Sequence, residues 1–491
     1  MELPASFTEY TRTLLGNEGY MQLVISLESE QPVSIRLNPL KLFAFRSGKD
    51  AVPWCTSGFY LKERLTFTFD PLFHAGCYYV QEASSMFVER ALKQYMGEEP
   101  VVMLDLCAAP GGKSTHARSV LPEDSLLVAN EVIRNRSQIL AENLTKWGYP
   151  DVVVTNSDPS DFTPLADFFD IILADVPCSG EGMFRKDPVA VSEWSPENVE
   201  ICWQRQRRII SDIWPCLKPG GILIYSTCTC NTKENEENIR WIRDEFEAEV
   251  LPLDVSEDWN ITGNLLQGED FPVYRFLPHK TKGEGFFLAV LRKQGGNACK
   301  SGGEPEFVQG YTSGIQGLNG ENSRKKGKNP HGKGMKTLGL SGEQLSALKK
   351  WVLAPEKYEF IQKGSNVSAF PKRYLAELSV LQASLRVVQA GVELAEEKGK
   401  DWMPCHALAM SRILASDAFP REELSYEKAI AYLRKEAVVL SDASPRGAVL
   451  LTYKHVPLGF VKNIGNRANN LYPQEWRIRS GYLPEVISTV I

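Results

Sequence analysis

The sequence lacks any apolar run long enough to cross a membrane. None of its uninterrupted apolar stretches approaches the roughly 18 residues that a spanning helix needs. The N-terminal segment Met1 to Glu9 also lacks the basic start and apolar core of a secretory signal. We therefore expect a cytoplasmic protein with no membrane partner.

Metal-binding and disulfide patterns are missing as well. The ten cysteines are scattered singly apart from Cys228 and Cys230, and none has the Cys-x-x-Cys spacing of a zinc site. In a chain without a secretory signal, such cysteines are expected to remain reduced thiols rather than to form a disulfide framework. We expect no bound metal ion.

Excess positive charge is the third missing feature. The formal net charge of −6 does not indicate a nucleic-acid-binding protein, although such binding depends on a local basic patch rather than on total charge. Apolar residues make up 43% and charged residues 24%, which is typical of globular proteins with large cores. At 491 residues the chain is long enough for about three compact units.

Strand-like and helix-like segments alternate from Val101 onward. The predicted strands are Val101–Leu106, Leu126–Asn130, Val152–Thr155, Asp170–Ala174, Ile222–Ser226 and Gly285–Leu291. The predicted helices are Lys113–Val120, Arg134–Trp147, Pro196–Cys216 and Lys233–Phe246. Helices of this length between strands imply right-handed crossovers and a mostly parallel sheet covered on both faces. The pattern predicts a doubly wound α/β domain.

Composition divides the chain into five regions. Residues 1–90 combine a helical start with short strand-like pieces, which favours a small N-terminal α/β accessory domain, and residues 91–294 hold the doubly wound domain. Residues 295–338 are rich in Gly, Asn, Ser and Lys and indicate a flexible basic linker, either solvated or lying along RNA phosphates. Residues 339–430 are expected to be helix-rich, and residues 431–491 are strand-rich with basic and aromatic residues interleaved.

Local signals in the accessory regions give three further predictions. Ser341 and Gln344 have capping-box spacing at the start of a helix, and a second helical pattern covers Gly391–Lys398. Arg36 and Lys41 are interpreted as solvated surface charges, with contact to an RNA phosphate backbone as the alternative.

Two thiols follow two of the predicted strands. Cys178 follows Asp170–Ala174, and Cys228 follows Ile222–Ser226. A lone buried cysteine usually packs as a small hydrophobic residue. In open α/β sheets, however, the chemistry lies at the carboxyl ends of the strands, so both thiols are candidate reactive groups.

A glycine-containing segment joins the first predicted strand to the next helix. The segment Asp105 to Ser114 reads Asp-Leu-Cys-Ala-Ala-Pro-Gly-Gly-Lys-Ser. It lacks the first glycine of a Walker loop and the Gly-x-Gly-x-x-Gly pattern of dinucleotide dehydrogenases. Glu131 and Asp158 lie just past the next two strands, where they can accept from ribose hydroxyls and an adenine amino group. Together, the glycine-containing segment and these two acidic residues favour an adenosine-containing cofactor. S-adenosylmethionine has the groups that they can bind.

Three motifs resemble those of the Nol–Nop–Sun family of RNA cytosine carbon-5 methyltransferases. They are Cys107 to Lys113, Asp175-Val-Pro-Cys178-Ser-Gly-Glu-Gly182 with Arg185 to Pro188, and Tyr225-Ser-Thr-Cys228-Thr with Glu234-Asn-Glu236. The similarity runs from about Gly76 to Arg292. The N-terminal segment and the tail Gly459 to Arg467 resemble the bacterial branch that methylates 16S ribosomal RNA and ends in a PUA-like RNA-binding domain. The resemblance implies a Rossmann-like class I methyltransferase fold.

The resemblance also implies the cofactor, its ligands and the chemistry. The cofactor is S-adenosylmethionine, and the residues expected to bind it are Cys107, Ala108, Ala109, Pro110, Gly111, Gly112, Lys113, Glu131, Asp158 and Asp175. Cys228 is implied to attack carbon 6 of cytosine and Cys178 to assist product release, because carbon 5 is too weak a nucleophile without covalent activation. Asp175 is implied to hydrogen-bond the cytosine edge. A free cysteine titrates near pH ~8.5, so Lys113, Arg185 and Lys186 are possible sources of a field that stabilises the thiolate.

The implied substrate is an unpaired or flipped cytosine of RNA, since a duplex hides its bases from an enzyme. We expect 16S ribosomal RNA or the small ribosomal subunit as the partner, no DNA partner, and a monomer. Two alternatives stay open: the same chemistry on transfer RNA, and an RNA-binding ribosome-assembly factor without activity. Cys230 is a third thiol near Cys228 and is interpreted as a packing residue, because only Cys228 occupies the family motif position.

Overall fold

A computed structural model describes residues 1–42, 50–295, 340–399, 401–481 and 490. The predicted basic linker, residues 295–338, lies outside this range except for its first residue. None of the helices within the described ranges combines the length and the apolar character needed to cross a bilayer.

The N-terminal region forms a three-stranded antiparallel sheet with the central strand buried. Its elements are α1 (Ala5–Glu28), β1 (Val33–Leu37), β2 (Gly58–Leu61), α2 (Pro71–His74) and β3 (Tyr78–Val80). The strand order is β2-β1-β3, and all five residues of β1 are buried. The helix α1 is kinked at Gly16, whose positive φ of 74° a larger residue would adopt only with strain.

The central region is the predicted doubly wound domain. Its elements are α3 (Val88–Tyr95), β4 (Val102–Asp105), α4 (Gly112–Val120), β5 (Leu126–Asn130), α5 (Arg134–Trp147), β6 (Val152–Thr155), β7 (Phe169–Asp175), α6 (Pro188–Glu193), α7 (Pro196–Ile213), β8 (Leu217–Thr227), α8 (Glu236–Glu245), β9 (Glu249–Leu251), β10 (Tyr274–Phe276) and β11 (Phe286–Arg292). Strands β4 to β8 are parallel in the order β8-β7-β4-β5-β6, and β11 runs antiparallel beside β8. The predicted fold class is confirmed.

The third region consists of two four-stranded sheets and four helices. Its elements are α9 (Gly342–Lys349), β12 (Tyr358–Lys363), β13 (Asn366–Pro371), α10 (Leu375–Ser384), β14 (Val387–Ala390), β15 (Val392–Lys398), β16 (Asp401–Pro404), α11 (His406–Met410), β17 (Arg421–Glu423), α12 (Tyr426–Leu433), β18 (Gly447–Tyr453), β19 (Val456–Asn463) and β20 (Ala468–Asn470). The sheet orders are β12-β13-β15-β16 and β17-β18-β19-β20. The capping box of Ser341 and Gln344 is present at the start of α9, as predicted.

Strand β14 belongs to neither of these sheets. It pairs antiparallel with β6 and extends the central sheet by one strand. Residues from the third region therefore cover the β6 edge of the central sheet, and β14 becomes the terminal strand on that side.

The helix predicted over Gly391–Lys398 is wrong, because these residues form β15. Gly391 has a positive φ of 67°, and a Cβ at this position would lie 2.2 Å from the carbonyl oxygen of Ala369. After this turn, the strand hydrogen-bonds with β13 on one side and β16 on the other. Pairing on both edges outweighs the helix preference of the Glu and Lys residues in this segment.

Candidate functional site

The segment Cys107 to Lys113 forms a loop at the carboxyl end of β4 and runs into α4. Four consecutive carbonyl groups in this loop accept hydrogen bonds from side chains. Arg136 donates to Ala109 O at 2.8 Å, Asn143 to Pro110 O at 2.8 Å, Thr115 Oγ1 to Gly111 O at 2.7 Å, and Arg36 Nη2 to Gly112 O at 3.2 Å. These side chains fix the orientation of the peptide groups at the start of α4. A helix start presents free N–H groups that favour a negatively charged ligand.

Two acidic residues flank this loop on the neighbouring strands. Glu131 follows β5, is 3% exposed, and accepts from the Ile133 N–H at 2.9 Å with one carboxylate oxygen. Asp158 follows β6 and caps the next helical turn, accepting from the Ser160 N–H at 3.1 Å. It also forms an exposed ion pair with Arg208 at 3.4 Å. One carboxylate oxygen of Asp158 is used in this cap. Among the described residues, the other oxygen contacts Arg208.

Asp105, the last residue of β4, was not among the predicted site residues. Its side chain is fully buried, with Oδ2 accepting from Ser114 Oγ at 2.6 Å, while Oδ1 is buried and has no hydrogen-bond partner among the described residues. Burial, opposed by the hydrogen bond from Ser114, raises the pKa of this carboxyl group to about 7. The available signal was its position, since a carboxylate that ends a buried strand lies at the ligand-binding edge of the sheet.

Asp175 ends β7 and is held by two neighbours. Lys113 Nζ donates to Oδ2 at 2.8 Å, and Ser226 Oγ donates to Oδ1 at 2.7 Å. Burial alone would lower the pKa of Lys113, but the attraction of Asp175 and then the charge of Cys228 raise it overall. Lys113 is therefore a cation held by the aspartate at the end of β7.

The two predicted reactive cysteines are in contact. Their Sγ atoms lie 3.2 Å apart, and both residues are partly exposed. The hydrogen bond between the thiols, reinforced by burial, raises the pKa of Cys178 well above its ordinary value. Cys178 therefore keeps its proton at neutral pH and can donate it to the sulfur of Cys228.

Two buried carboxylates tie the two cysteine-bearing loops to each other. Glu234, on the Cys228 side, accepts from the backbone N–H of Ser179 at 3.0 Å. Glu181, on the Cys178 side, accepts from the backbone N–H of Cys230 at 2.8 Å. Asn231 bridges both carboxylates with Nδ2, at 2.8 Å from Glu234 and 3.0 Å from Glu181. Each loop thus contributes the carboxylate that holds the backbone of the other loop.

The Cys178 loop also packs closely on Cys228 and on the segment before β11, through Gly182 and Gly285. Gly182 donates its N–H to the carbonyl of Cys228 at 2.8 Å. A Cβ on Gly182 would lie 2.3 Å from the carbonyl oxygen of Gly285, and a Cβ on Gly285 would lie 2.7 Å from the Cα of Gly182. Only glycine fits at either position, so this contact fixes where the peptide carrying Cys228 leaves the sheet.

Cys230 lies on a different side of the loop. It lines a small cavity against α1, together with Phe7 and Tyr10, and burial followed by the charge of Glu181 raises the pKa of its thiol. The contact between sulfur atoms is made by Cys228, in agreement with the packing interpretation of Cys230.

Arg185 occupies a structural position rather than one beside the thiols. It is buried, and its guanidinium donates to the carboxylate of Glu284 at 3.0 Å and to the carbonyl of Gly283 at 2.6 Å. Of the predicted cations, Lys113 is the one that bonds to Asp175 at the end of β7, at 2.8 Å.

Glu181 and Glu234 were present in the motifs, but their pairing was not foreseen. The signal was their position in the loop segments that follow the two cysteines, although the predicted helix Lys233–Phe246 included Glu234. Buried carboxylates in such segments commonly accept from backbone N–H groups that no helix or sheet satisfies.

The residues around the glycine loop match the chemistry of S-adenosylmethionine. The start of α4 suits its carboxylate, and the unpartnered Oδ1 of Asp105 can accept from its ammonium group. Glu131 and Asp158 offer carboxylate oxygens of the kind that accept from ribose hydroxyls and from an adenine amino group. The fold, this ligand set and the adjacent polar strand ends define a Rossmann-like class I methyltransferase.

Comparison with known proteins agrees with this class. The family model described as 16S rRNA methyltransferase RsmB/F matches residues 92–292, the N-terminal domain of 16S rRNA methyltransferase RsmF matches residues 3–83, and the methyltransferase RsmF PUA domain matches residues 419–478. A methyltransferase homologue from Pyrococcus horikoshii, solved by crystallography, is 30% identical with a TM-score of 0.50, over 59% of this chain and 94% of that chain.

Curated relatives extend over nearly the whole sequence. The ribosomal RNA small subunit methyltransferase F of Citrobacter koseri is 32% identical, covering 92% of this chain and 91% of the relative. The protein of the same name from Serratia proteamaculans is 30% identical, covering 98% of both chains. The chain belongs to the RsmF family of 16S rRNA methyltransferases.

Proposed function

We propose that this protein methylates carbon 5 of cytosine in 16S ribosomal RNA, through a covalent bond between Cys228 and carbon 6 of the base. The observation that carries the proposal is the 3.2 Å contact between the sulfur atoms of Cys178 and Cys228, beside the cofactor loop. One thiol would be sufficient for attack. A second thiol in contact with the first supports a reaction in which a covalent bond is made and later broken.

S-adenosylmethionine, when bound, supplies the methyl group from its sulfonium centre. The start of α4 and Lys113 would hold the methionine end, and Asp105 would accept from its ammonium group. Glu131 would accept from the ribose hydroxyls, and Asp158 would lie toward the adenine.

Cys228 is the nucleophile in this proposal. Its sulfur forms a bond to carbon 6 of cytosine, and the electrons of the C5–C6 double bond make carbon 5 nucleophilic. After carbon 5 is methylated, a proton leaves carbon 5, the bond from sulfur to carbon 6 breaks, and the double bond forms again. Lys113, whose charged form is favoured by Asp175 and Cys228 against the effect of burial on its pKa, supplies positive charge in this part of the site.

Cys178 and Asp175 assist different steps of this sequence. Because Cys178 retains its proton, it donates a hydrogen bond to the Cys228 sulfur and stabilises it as the leaving group. Asp175 keeps a fixed orientation through Lys113 and Ser226, so that an oxygen can accept from the cytosine edge. An anionic acceptor at this edge favours the cytosine that has taken a proton from solvent on nitrogen 3, and that proton makes carbon 6 more electrophilic.

The relatives support ribosomal RNA of the small subunit as the substrate, because both carry that name and align over nearly all of this chain. The match of residues 419–478 to a PUA domain supports an RNA-binding role for the C-terminal region. The cytosine must be unpaired or flipped, since the thiol has to reach carbon 6 above the plane of the base. We propose a cytoplasmic monomer that acts on RNA and not on DNA.

The test is methyl transfer to extracted 16S RNA, 30S subunits and transfer RNA, followed by bisulfite mapping of 5-methylcytosine. The Cys228→Ala variant is expected to give no product, and the Cys178→Ala variant to accumulate a covalent RNA adduct that survives a denaturing gel. If the wild type turns over and the Cys228→Ala variant is active as well, the assignment of Cys228 as the nucleophile is refuted. Methylation of transfer RNA alone would refute the substrate, and RNA binding without any methylation would leave the assembly-factor alternative.

A further inference from the structure

We propose that Arg36, in the N-terminal sheet, is a positioning residue that sets the geometry of the cofactor loop in the central domain. The inference rests on the proposed function in one respect, namely that this loop binds S-adenosylmethionine. It replaces the prediction that Arg36 and Lys41 are surface charges, which is wrong: Arg36 is 0% exposed.

The Arg36 side chain crosses from β1 to the first turn of α4. Its Nη2 donates to the Gly112 carbonyl at 3.2 Å and to Thr115 Oγ1 at 2.6 Å, and its Nε donates to Gln81 at 2.8 Å. Thr115 Oγ1 in turn donates to the Gly111 carbonyl at 2.7 Å. One guanidinium therefore restrains two adjacent carbonyls of the cofactor loop, directly and through a hydroxyl.

The charge of Arg36 is costly to bury, and it forms no ion pair with any residue that the structure describes. Its hydrogen-bond acceptors are an amide, a carbonyl and a hydroxyl, and Nη1 is buried without a partner in the described part of the chain. The guanidinium also stacks over the Trp147 ring at 4.4 Å, which fixes its plane. A neutral residue would fold here at lower cost, so the position of this charge calls for a reason beyond stability.

The neighbours of Arg36 connect the same strand end to α5. Asn38 Nδ2 donates to the carbonyl of Trp147 at 2.9 Å, and Lys41 Nζ donates to the carbonyl of Lys146 at 2.6 Å. Helix α5 also carries Arg136 and Asn143, which hold the carbonyls of Ala109 and Pro110. The segment from Arg36 to Lys41 therefore supports the cofactor loop in two ways. Arg36 bonds to the loop directly, and Asn38 and Lys41 hold the end of α5, which carries the other side chains that bond to the loop.

This arrangement predicts that Arg36 acts on cofactor binding and not on the methyl-transfer step. When all four loop carbonyls are held, the N–H groups at the start of α4 are oriented before the ligand arrives. Loss of the Arg36 hydrogen bonds would let the Gly112 peptide group rotate. Part of the binding free energy of the cofactor would then be used to order this peptide group. The cysteines lie on other strands and keep their own supports.

The test compares Arg36→Met, Arg36→Lys and Arg118→Met in the full-length protein. Arg118 is a matched control because it is equally buried on α4 and forms an ion pair with Asp151, away from the loop. The measurements are the dissociation constant of S-adenosylhomocysteine by calorimetry, KM for S-adenosylmethionine, kcat at saturation, and the melting temperature.

Arg36→Met is expected to raise the dissociation constant and KM about tenfold or more, the effect of losing one charge-assisted hydrogen bond, with kcat within about threefold. Arg36→Lys should restore part of the affinity, and it keeps the test valid if the methionine variant does not fold. Arg118→Met should lower the melting temperature without weakening binding. Unchanged affinity in both Arg36 variants, or equal loss in Arg118→Met, would overturn the positioning role. A wild-type protein that does not bind S-adenosylhomocysteine would instead overturn the proposed cofactor.

Discussion

The contact between the two thiols depends on Glu234, which makes Glu234→Ala the most informative substitution. The Glu234 side chain is fully buried and accepts from the Ser179 N–H at 3.0 Å, from Gln206 Nε2 at 2.8 Å and from Asn231 Nδ2 at 2.8 Å, as well as from the Ser179 hydroxyl. Alanine removes all of these acceptors while leaving Cys178 and Cys228 chemically intact.

The hydrogen bonds that remain determine the size of the effect. Gln206 Nε2 still has the Pro177 carbonyl at 3.0 Å, and Asn231 Nδ2 still has Glu181 at 3.0 Å. The Ser179 N–H is the donor that loses its acceptor in the buried loop. An unsatisfied buried donor costs about 1–3 kcal/mol, and the cavity and weakened bonds add a similar amount, so we expect roughly 3–5 kcal/mol of destabilisation.

The expected effect on catalysis is larger than the effect on cofactor binding. Because Ser179 directly follows Cys178, release of its N–H lets the Cys178 thiol move away from Cys228. A displacement of about 1 Å at a reacting group can cost about a hundredfold in rate. The measurement is single-turnover methyl transfer at a temperature where circular dichroism shows a folded protein, together with the affinity for S-adenosylhomocysteine.

Glu200→Ala is the control, since Glu200 is a partly exposed carboxylate paired with Lys233 on the same side of the molecule. It should leave both the rate and the affinity unchanged. A Glu234→Ala protein that is folded and transfers methyl groups within about threefold of the wild-type rate would refute the argument that this carboxylate sets the thiol contact. So would a loss of cofactor affinity equal to the loss in rate.

Two further predictions concern stability. Arg275 and Glu236 form a fully buried ion pair, so Arg275→Met should lower the free energy of unfolding in urea by about 3–5 kcal/mol. The double variant with Glu236→Leu should recover part of this loss. If it recovers nothing, the loss is not caused by the unpaired carboxylate. Burial, followed by the charge of Arg36, lowers the pKa of His116 to about 4, so the unfolded chain binds a proton near pH 6.5 that the folded chain does not. Between pH 7.5 and 5.5 the His116→Gln variant should therefore lose about 1.4 kcal/mol less stability than the wild type, and equal losses would show that His116 is not held neutral.

Much of the central domain could be predicted from local pattern alone. Strands β5 and β6 and helix α5 have the predicted bounds, because the buried parallel strands are short β-branched runs between polar segments. Helix α8 is shorter than predicted, beginning at Glu236 rather than Lys233. The residues before Glu236 instead form a loop. In this loop the Asn231 side chain bonds to Glu181, and the Glu234 side chain accepts from Ser179. Hydrophobic periodicity in the sequence does not predict such hydrogen bonds.

The environment of charged residues could not be predicted in the same way. Arg36 and Lys41 lie in a polar-looking segment, and a solvated cation is the commoner outcome for such a sequence. Their burial arises only when the N-terminal sheet meets α4 and α5, which are distant in sequence. The edge strand β14 was missed for the same reason, since its pairing partner β6 precedes it by more than two hundred residues.

The order of strands in the central sheet explains why motifs scattered over the chain form one site. Cys228 follows β8, Asp175 and Cys178 lie at the end of β7, the glycine loop follows β4, and acidic residues follow β5 and β6. Adjacent strands are separated by about 4.8 Å, so these positions are spread over roughly 19 Å from β8 to β6. The thiols are thus at one end of the row and the adenine-side carboxylate at the other. In the proposed reaction the cytosine reaches the β8 end of this row, next to the thiols, while the cofactor occupies the part of the row from β4 to β6.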